Sequence, residues 1–183
     1  MKDGRNKILA AAFEILCKVR DPEKVTVREI AKRAGVGTGL IGYHFASKDA
    51  MLMESVGHAL SEMALRQKDE PDSISTDPRR RLRHLLRKWM TVGAEQFYLI
   101  QLASRFELTE GDVNTPQLLL PLVLEITNGE DRVARMITFS IASNMQSAAL
   151  RPKQFHEYSG YDILNPLDQE RYIKDLIESH LPL

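Results

Sequence analysis

Apolar side chains recur every three or four positions along most of this chain, with polar and charged side chains between them. This spacing is typical of amphipathic α-helices, and no segment shows the strict alternation of a half-buried strand. The first such helix is predicted from about Arg5 to Arg20, and its apolar stripe includes Ile8, Leu9, Ala12, Phe13, Ile15 and Leu16. The pattern therefore predicts an all-α fold of about nine helices.

Two short helices with a tight turn between them are predicted next. Thr26 stands three residues before Glu29, which is the spacing of a capping box, so the first of these helices begins at Thr26. Gly35 ends it, because glycine takes the left-handed conformation that a Cβ resists. The second helix is predicted from about Thr38 to Phe45. Together with the first helix of the chain, this pair predicts a three-helix, helix-turn-helix domain.

The second helix of this pair has an almost bare outer face. At about 100° per residue, Gly39 and Tyr43 point away from the apolar Ile41 and Phe45. Glycine inside a helix costs up to about 1 kcal/mol relative to alanine, so Gly39 and Gly42 indicate close approach to another surface. DNA is such a surface, because its major groove admits one helix while the preceding helix crosses the phosphates.

A longer helix is predicted from Ser47, a common capping residue, to near Lys68. Lys48 then lies in its first turn, where its ammonium and the backbone N–H groups can hold a phosphate. The apolar positions of this helix are Met51, Leu52, Val56, Leu60, Met63 and Ala64.

The first 55 residues or so resemble the tetracycline-repressor (TetR) family of bacterial transcriptional regulators. The resemblance rests on the first helix and on Thr26, Arg28, Ile30, Ala31, Ala34, Gly35, Val36, Ile41, Tyr43, His44, Phe45 and Lys48. It implies phosphate contacts from Thr26, Arg28, His44 and Lys48, and groove contacts from Gly37, Thr38, Gly39 and Tyr43. One position departs from the family pattern, because Gly42 stands where the family usually has tyrosine. The contact that the tyrosine ring makes is therefore missing, and we expect this helix to be looser.

Two other interpretations of this stretch stay open. Residues Gly37 to Gly42 match GxGxxG, the fingerprint of dinucleotide-binding folds. That fingerprint follows a β-strand within a βαβ unit, whereas the segment before Gly37 has a helix cap and helical spacing. An αα-hairpin without any role in nucleic-acid binding is the second alternative.

The remaining sequence predicts a C-terminal helical domain, residues 51–183, after the DNA-binding domain of residues 1–50. The polar segment 69–78 predicts a hinge. Pro78 starts the next helix, and Pro121 is expected to kink or split a later one. The other helices are predicted at 95–108, from Thr115 to Asn128, at 131–150 and at 167–181, with 151–166 irregular.

Composition and charge add little to this picture. The 183 residues are 43% hydrophobic, enough for one or two domains with a core. The net charge of zero conceals ten Lys/Arg against six Asp/Glu in residues 1–50 and an acidic excess in the rest, which suits a DNA-binding N-terminal domain. Arg5 is either a phosphate contact or a solvated charge. The arginine-rich segment 79–88 is either a second nucleic-acid patch or a solvated helix face.

Several classes of protein are not favoured. No apolar run approaches a membrane span, and MKDGRNKI is too short and polar for a signal peptide, so we expect a cytoplasmic protein. Cys17 cannot form an internal disulfide and is either a core residue or a redox sensor. The histidines His58, His84, His156 and His180 show no spacing for catalysis or metal binding. We therefore predict no enzyme, metal or cofactor.

The family resemblance implies a homodimer on double-stranded DNA with a palindromic operator, because one recognition helix reads few bases. In the family the last two long helices form the dimer, here about 131–150 and 168–181. Small residues at Ser140, Ser143, Ser147 and Ala148 would let a helix approach closely, either from a partner or from the same subunit.

A small-molecule effector is the other implication. Its pocket would be mostly apolar with a few polar groups, although the same side chains could form an ordinary core. The candidate residues are Trp89, Met90, Phe97, Gln101, Arg105, Phe106, Leu122, Met136 and Asn144. Ligand binding would shift the helix from Ser47 onward and change the separation of the two recognition helices. The sequence thus predicts a homodimeric repressor released from DNA by a ligand, with a helical protein-interaction module as the alternative.

Overall fold

The structure, a computed structural model, describes residues 2–66, 75–109 and 114–181. These ranges form ten α-helices and a short 3-10 helix at Pro22–Lys24, and they contain no strand. The helices are α1 (Lys2–Val19), α2 (Val27–Ala34), α3 (Thr38–His44), α4 (Lys48–Arg66), α5 (Pro78–Glu95), α6 (Phe97–Thr109), α7 (Asn114–Ile126), α8 (Asp131–Leu150), α9 (Pro152–Ser159) and α10 (Pro166–His180). The predicted all-α class is therefore confirmed.

The helix α9, which the sequence analysis does not predict, lies in a segment expected to be irregular, and that prediction was wrong for residues 152–159. Pro152 occupies the first turn of α9, where its missing N–H is harmless. Gly160 ends the helix with φ +79°, and its N–H donates to the His156 carbonyl at 2.8 Å. A proline and a glycine eight residues apart are helix boundary signals here rather than loop residues.

The chain divides into two compact units, of which the first ends at Arg66 and contains α1–α4, and the second contains α5–α10. The predicted domain boundary after residue 50 stays a prediction. Most of the predicted hinge falls on residues 67–74, outside the described residues. The predicted end of α4 at Lys68 and the side chains of Leu60, Met63 and Ala64 also lie outside them.

In the first unit, α1 packs against each of the other three helices. Its predicted stripe is largely correct, because Ile8, Leu9 and Leu16 are fully buried while Phe13 and Ile15 are half-buried. This core also includes Val25 before α2, Ile30 and Ala31 of α2, Ile41 of α3, Phe45 after α3, and Met51, Leu52, Met53 and Val56 of α4. The core therefore holds α2 and α3 against a single supporting helix.

In the second unit, α8 packs against α6, α7, α9 and α10, and α5 packs against α6, α7 and α10. The helix α7 is not split at Pro121. Both Pro121 and Gln117, whose carbonyl loses its usual helical partner at a proline, are exposed, so solvent reaches that carbonyl.

The arginine-rich start of α5 is partly used in packing. Arg81 pairs with the Glu125 carboxylate of α7, and Arg87 lies 3.5 Å from Glu170 of α10. Arg79 donates to the backbone carbonyl of Leu181. These arginines thus join α5 to neighbouring segments of its own unit, whereas Arg80 and Arg83 are exposed.

Candidate nucleic-acid interface

The start of α2 is held by the predicted capping box. The Glu29 N–H donates to Thr26 Oγ1 at 3.2 Å, and the Thr26 N–H donates to Glu29 Oε2 at 3.1 Å. The Thr26 hydroxyl also donates to Glu29 Oε2 at 2.7 Å. The two hydrogen bonds that the Glu29 carboxylate accepts, first from the Thr26 hydroxyl and then from the Thr26 N–H, lower the pKa of the Glu29 carboxyl below its ordinary value. The box sets the residue at which α2 begins.

The end of α2 and the turn to α3 also follow the prediction. Gly35 has φ +67°, in the left-handed region, and its N–H donates to the carbonyls of Ala31 and Lys32. The N–H of Val36 donates to the Ala31 carbonyl at 3.0 Å. Only two residues, Val36 and Gly37, then separate Gly35 from α3. The turn is therefore short and closed by backbone hydrogen bonds, which fixes α3 relative to α2.

The helix α3 presents the face that was predicted to be bare. Ile41 and Phe45 are buried, whereas Tyr43 is 74% exposed and Gly39 is also exposed. Phe45 follows the last residue of α3 and donates its N–H to the Ile41 carbonyl at 2.9 Å. The inward side chains thus anchor α3 to the core and leave Tyr43 at the centre of its outer face.

The glycines of α3 and its cap are not required by packing within the chain. A Cβ built at Gly37, Gly39 or Gly42 would meet no heavy atom within 4 Å. None of these three residues has a positive φ, and Gly37 lies at φ −76°, which any residue adopts. Neither space nor backbone conformation within the described residues therefore calls for glycine at these positions, and the predicted close approach of an outside surface stays a prediction.

The helices before and after α3 in the sequence carry cationic side chains near that helix. Arg28 and Lys32 of α2 are exposed and have no ion pair within the described part of the chain. Lys48 of α4 is half-buried, and its Nζ donates to the Pro22 carbonyl at 3.0 Å. This bond holds the ammonium near the beginning of α2 and leaves its other N–H groups for a second acceptor.

Two predicted phosphate contacts take a different local form. The Thr26 hydroxyl already donates its hydrogen to Glu29, whereas the N–H groups of Val27 and Arg28 in the first turn have no acceptor within the helix. His44 is half-buried between two rings, 5.1 Å from the Tyr43 centroid and 6.1 Å from that of Phe45. Phosphate contacts at Thr26 and His44 stay predictions.

Arg5 contacts two other side chains of the first unit. Its guanidinium pairs with the Glu54 carboxylate of α4 and lies 5.2 Å from the centroid of the Phe45 ring. Arg5 therefore joins α1 to α4 and to the residue that ends α3. This contact could not be predicted from spacing along the sequence, because the three residues meet only in the folded unit.

Leu40 belongs to the exposed face of α3 but was missed in the sequence analysis. It is 38% exposed, and at about 100° per residue it lies about 60° from Tyr43. Its Cδ2 atom lies 3.4 Å from where a Cβ would stand on Gly4 of α1. The helical angle between Leu40 and Tyr43 was the available signal, and it is easily missed because leucine usually marks a buried face.

Among the candidate pocket residues, four pack against the core of the second unit: Trp89, Met90, Phe97 and Leu122. Phe106 is half-buried, and Gln101 Nε2 donates to the Ala149 carbonyl at 3.0 Å. Arg105 is exposed, Met136 is 65% exposed, and exposed Asn144 accepts a hydrogen bond from the Tyr172 hydroxyl at 2.7 Å. Four of the apolar members thus lie beside one core, whereas Met136 does not, and the ligand pocket stays a prediction.

Two further observations concern the Cys17 thiol and the possibility of a membrane-spanning helix. Cys17 is half-buried, and burial raises the pKa of its thiol, which opposes the thiolate that redox sensing needs. Among the described helices, none has the length and apolar character needed to cross a membrane.

Comparison with known proteins agrees with this geometry. Residues 8–54, which contain α2, α3 and most of α1, match the family of bacterial regulatory proteins described as the tetR family. The chain is also similar to the crystal structure of a TetR-like transcriptional regulator from Rhodococcus sp. RHA1. The two share 15% identity and a TM-score of 0.51 over 94% of this chain and 92% of that one, a likeness of fold. No curated protein matches the sequence.

Proposed function

We propose that this chain, whose residues 8–54 match the tetR family of bacterial regulatory proteins, is a homodimeric transcriptional repressor that a small molecule releases from a palindromic operator. The observation that carries this proposal is the outer face of α3, where exposed Tyr43 stands among glycines that nothing inside the chain requires. A helix with such a face can bring its backbone close to base edges in a major groove.

The phosphate contacts would come from the helices on either side of α3. Arg28 is exposed on the first turn of α2, and Lys48 is held at the first turn of α4 by the Pro22 carbonyl. Each neutralised phosphate releases counterions, so binding weakens as salt is raised. With Arg28 and Lys48 from both subunits of a dimer, which makes four phosphate contacts, we expect a slope of log K against log salt of about −3.6.

The dimer would form around α8. Val133, Met136 and Phe139 in its N-terminal half are 43%, 65% and 50% exposed, an unusual set of large apolar side chains on one helix. Their burial against a second copy would be favourable, at about 25 cal/mol per Å² of apolar area. The apolar residues of α10, such as Tyr172 and Ile173, are buried in their own unit, so α10 would contribute mainly charged side chains to the interface.

The ligand would bind in the second unit among the apolar candidate residues Trp89, Met90, Phe97 and Leu122, with Gln101 as a polar partner. Repression would end if the ligand binds more tightly to a dimer whose two α3 helices no longer match successive major grooves. A ligand can shift this equilibrium only by that difference in affinity.

The experiment begins with duplexes selected from a random library by the full-length protein. Fluorescence anisotropy then measures affinity for the selected duplex as salt is varied, and light scattering gives the mass of the complex. We expect a steep salt dependence, two protein chains per palindromic duplex, and at least about a tenfold loss of affinity in Tyr43→Ala.

Tyr158→Ala is the matched control, because Tyr158 is 94% exposed but lies on α9. It should bind as the unaltered protein does. A flat salt dependence would exclude phosphate contacts, one chain per palindrome would exclude the dimer, and full affinity in Tyr43→Ala would remove α3 from the groove.

A further inference from the structure

The outer face of α3 has few groups that can form hydrogen bonds with bases. Guanine is usually read by Arg or Lys and adenine by Asn or Gln, each with two hydrogen bonds. The α3 sequence TGLIGYH contains none of these four residue types. Its exposed polar side chains are Thr38 and Tyr43, each of which offers one hydroxyl.

What this face does offer is an apolar side chain in an accessible position. Leu40 is 38% exposed, whereas its neighbour Ile41 is 4% exposed. Gly39 stands beside it on the outer surface without a side chain, so a groove can approach Leu40 closely. The Leu40 side chain also rests near the first turn of α1, with Cδ2 3.4 Å from the Cβ position of Gly4, which limits its freedom to move away.

The C5-methyl group of thymine is the apolar group on base edges in the major groove. We propose, building on the proposed function, that α3 reads its half-site chiefly through thymine methyl groups and that Leu40 is the specificity-determining residue. The Tyr43 ring, about 60° from Leu40 around the helix, extends the same apolar surface. Loss of one buried methyl contact lowers affinity about fourfold.

The test replaces thymine by uracil, one position at a time, in the duplex selected from the random library. Uracil keeps every hydrogen-bonding group of thymine and lacks only the methyl. We expect an affinity loss of about fourfold at one or more half-site positions, measured by anisotropy at fixed salt. At the half-site position that Leu40 contacts, the same substitution should have little effect on Leu40→Ala, because the contact it removes is already missing.

Val19→Ala is the matched control, since Val19 is also an apolar residue of the first unit with 38% exposure. It should keep the full sensitivity to uracil. Duplexes with 7-deazaguanine or 7-deazaadenine lack the purine N7 acceptor and test hydrogen-bond readout instead. Leu40→Val, which keeps a smaller apolar side chain, should show intermediate sensitivity to uracil. This variant replaces Leu40→Ala in the test if circular dichroism shows that Leu40→Ala is unfolded.

The outcomes separate this inference from the proposed function. If selection enriches no sequence, the proposed function itself fails. If a sequence is enriched but uracil has no effect while 7-deaza purines weaken binding, the regulator stands and the thymine readout is overturned. Unchanged uracil sensitivity in the folded Leu40 variants would likewise overturn the role of Leu40.

Discussion

Replacing Gly39 with alanine should stabilise the protein and weaken its binding to DNA. A Cβ at this position meets no heavy atom within 4 Å, and the residue has ordinary helical backbone angles. Alanine therefore gains helix propensity without a steric penalty in the free protein. In the complex, the same methyl would stand between the α3 backbone and the groove, because Gly39 lies about 40° from Tyr43 on the outer face.

The expected gain in the free energy of unfolding is about 0.5–1 kcal/mol. For a chain of 183 residues this raises Tm by about 1–4 °C, which differential scanning calorimetry resolves. The expected loss of DNA affinity is tenfold or more, equivalent to about 1.4 kcal/mol, and is measured by anisotropy on the selected duplex. Stability and function should thus change in opposite directions.

Two other glycines provide controls. Gly57 is exposed on α4 and equally open, so Gly57→Ala should stabilise the protein by a similar amount and leave DNA affinity unchanged. Gly35 has φ +67°, so Gly35→Ala should destabilise the protein by about 1 kcal/mol. If Gly39→Ala is stabilised yet binds DNA as well as the unaltered protein, the close approach of α3 to the groove is refuted.

Three further predictions concern other parts of the molecule. Arg5→Met should lower DNA affinity about threefold without changing the slope of log K against log salt, because Arg5 pairs with Glu54 and supports the end of α3. A slope smaller by about 0.9 per subunit would instead indicate that Arg5 contacts a phosphate. Met136→Glu should convert dimers to monomers in size-exclusion chromatography with light scattering, since it places a charge in the exposed apolar face of α8. Glu29→Gln should lower Tm at neutral pH and should lose this effect at acid pH. The folded-state pKa of Glu29 is depressed, so its stabilising contribution is present above the unfolded-state pKa and disappears as the pH falls through the folded-state value.

Each of these predictions has a matched comparison. Arg28→Met removes a candidate phosphate contact and should reduce the salt slope where Arg5→Met does not. Leu118→Glu introduces the same charge at an apolar side chain that is 54% exposed on α7, and it should leave the dimer intact. A pH-independent difference in Tm between Glu29→Gln and the unaltered protein would contradict the role of the carboxylate.

Local signals predicted the DNA-binding part of the fold well. The Thr26 cap and Gly35 define α2 through contacts within a few residues, so their effects could be inferred from spacing alone. The direction of Tyr43 followed from helical periodicity. The sequence analysis missed α9, although Pro152 and Gly160 are helix boundary signals of the same kind. The aromatic and polar composition of this segment favoured a loop.

The features that sequence patterns could not predict depend on distant parts of the chain. Arg5 meets Glu54 and Phe45 only after α1, α3 and α4 have packed together. Several arginines of α5 were assigned to solvent or nucleic acid, yet Arg81 and Arg87 pair with carboxylates on helices far along the sequence. The side-chain type was informative in these cases, but the partner was decided by tertiary structure.

The hydrogen bond from Lys48 to the Pro22 carbonyl ties α4 to the segment that precedes α2. It joins residues that are 26 positions apart and connects the first turn of α4 to the segment leading into α2. Buried Met51 and Leu52 hold the same part of α4 in the core that α1 supports. If the proposed ligand response moves α4, we therefore expect α2 and α3 to move with it as one rigid body.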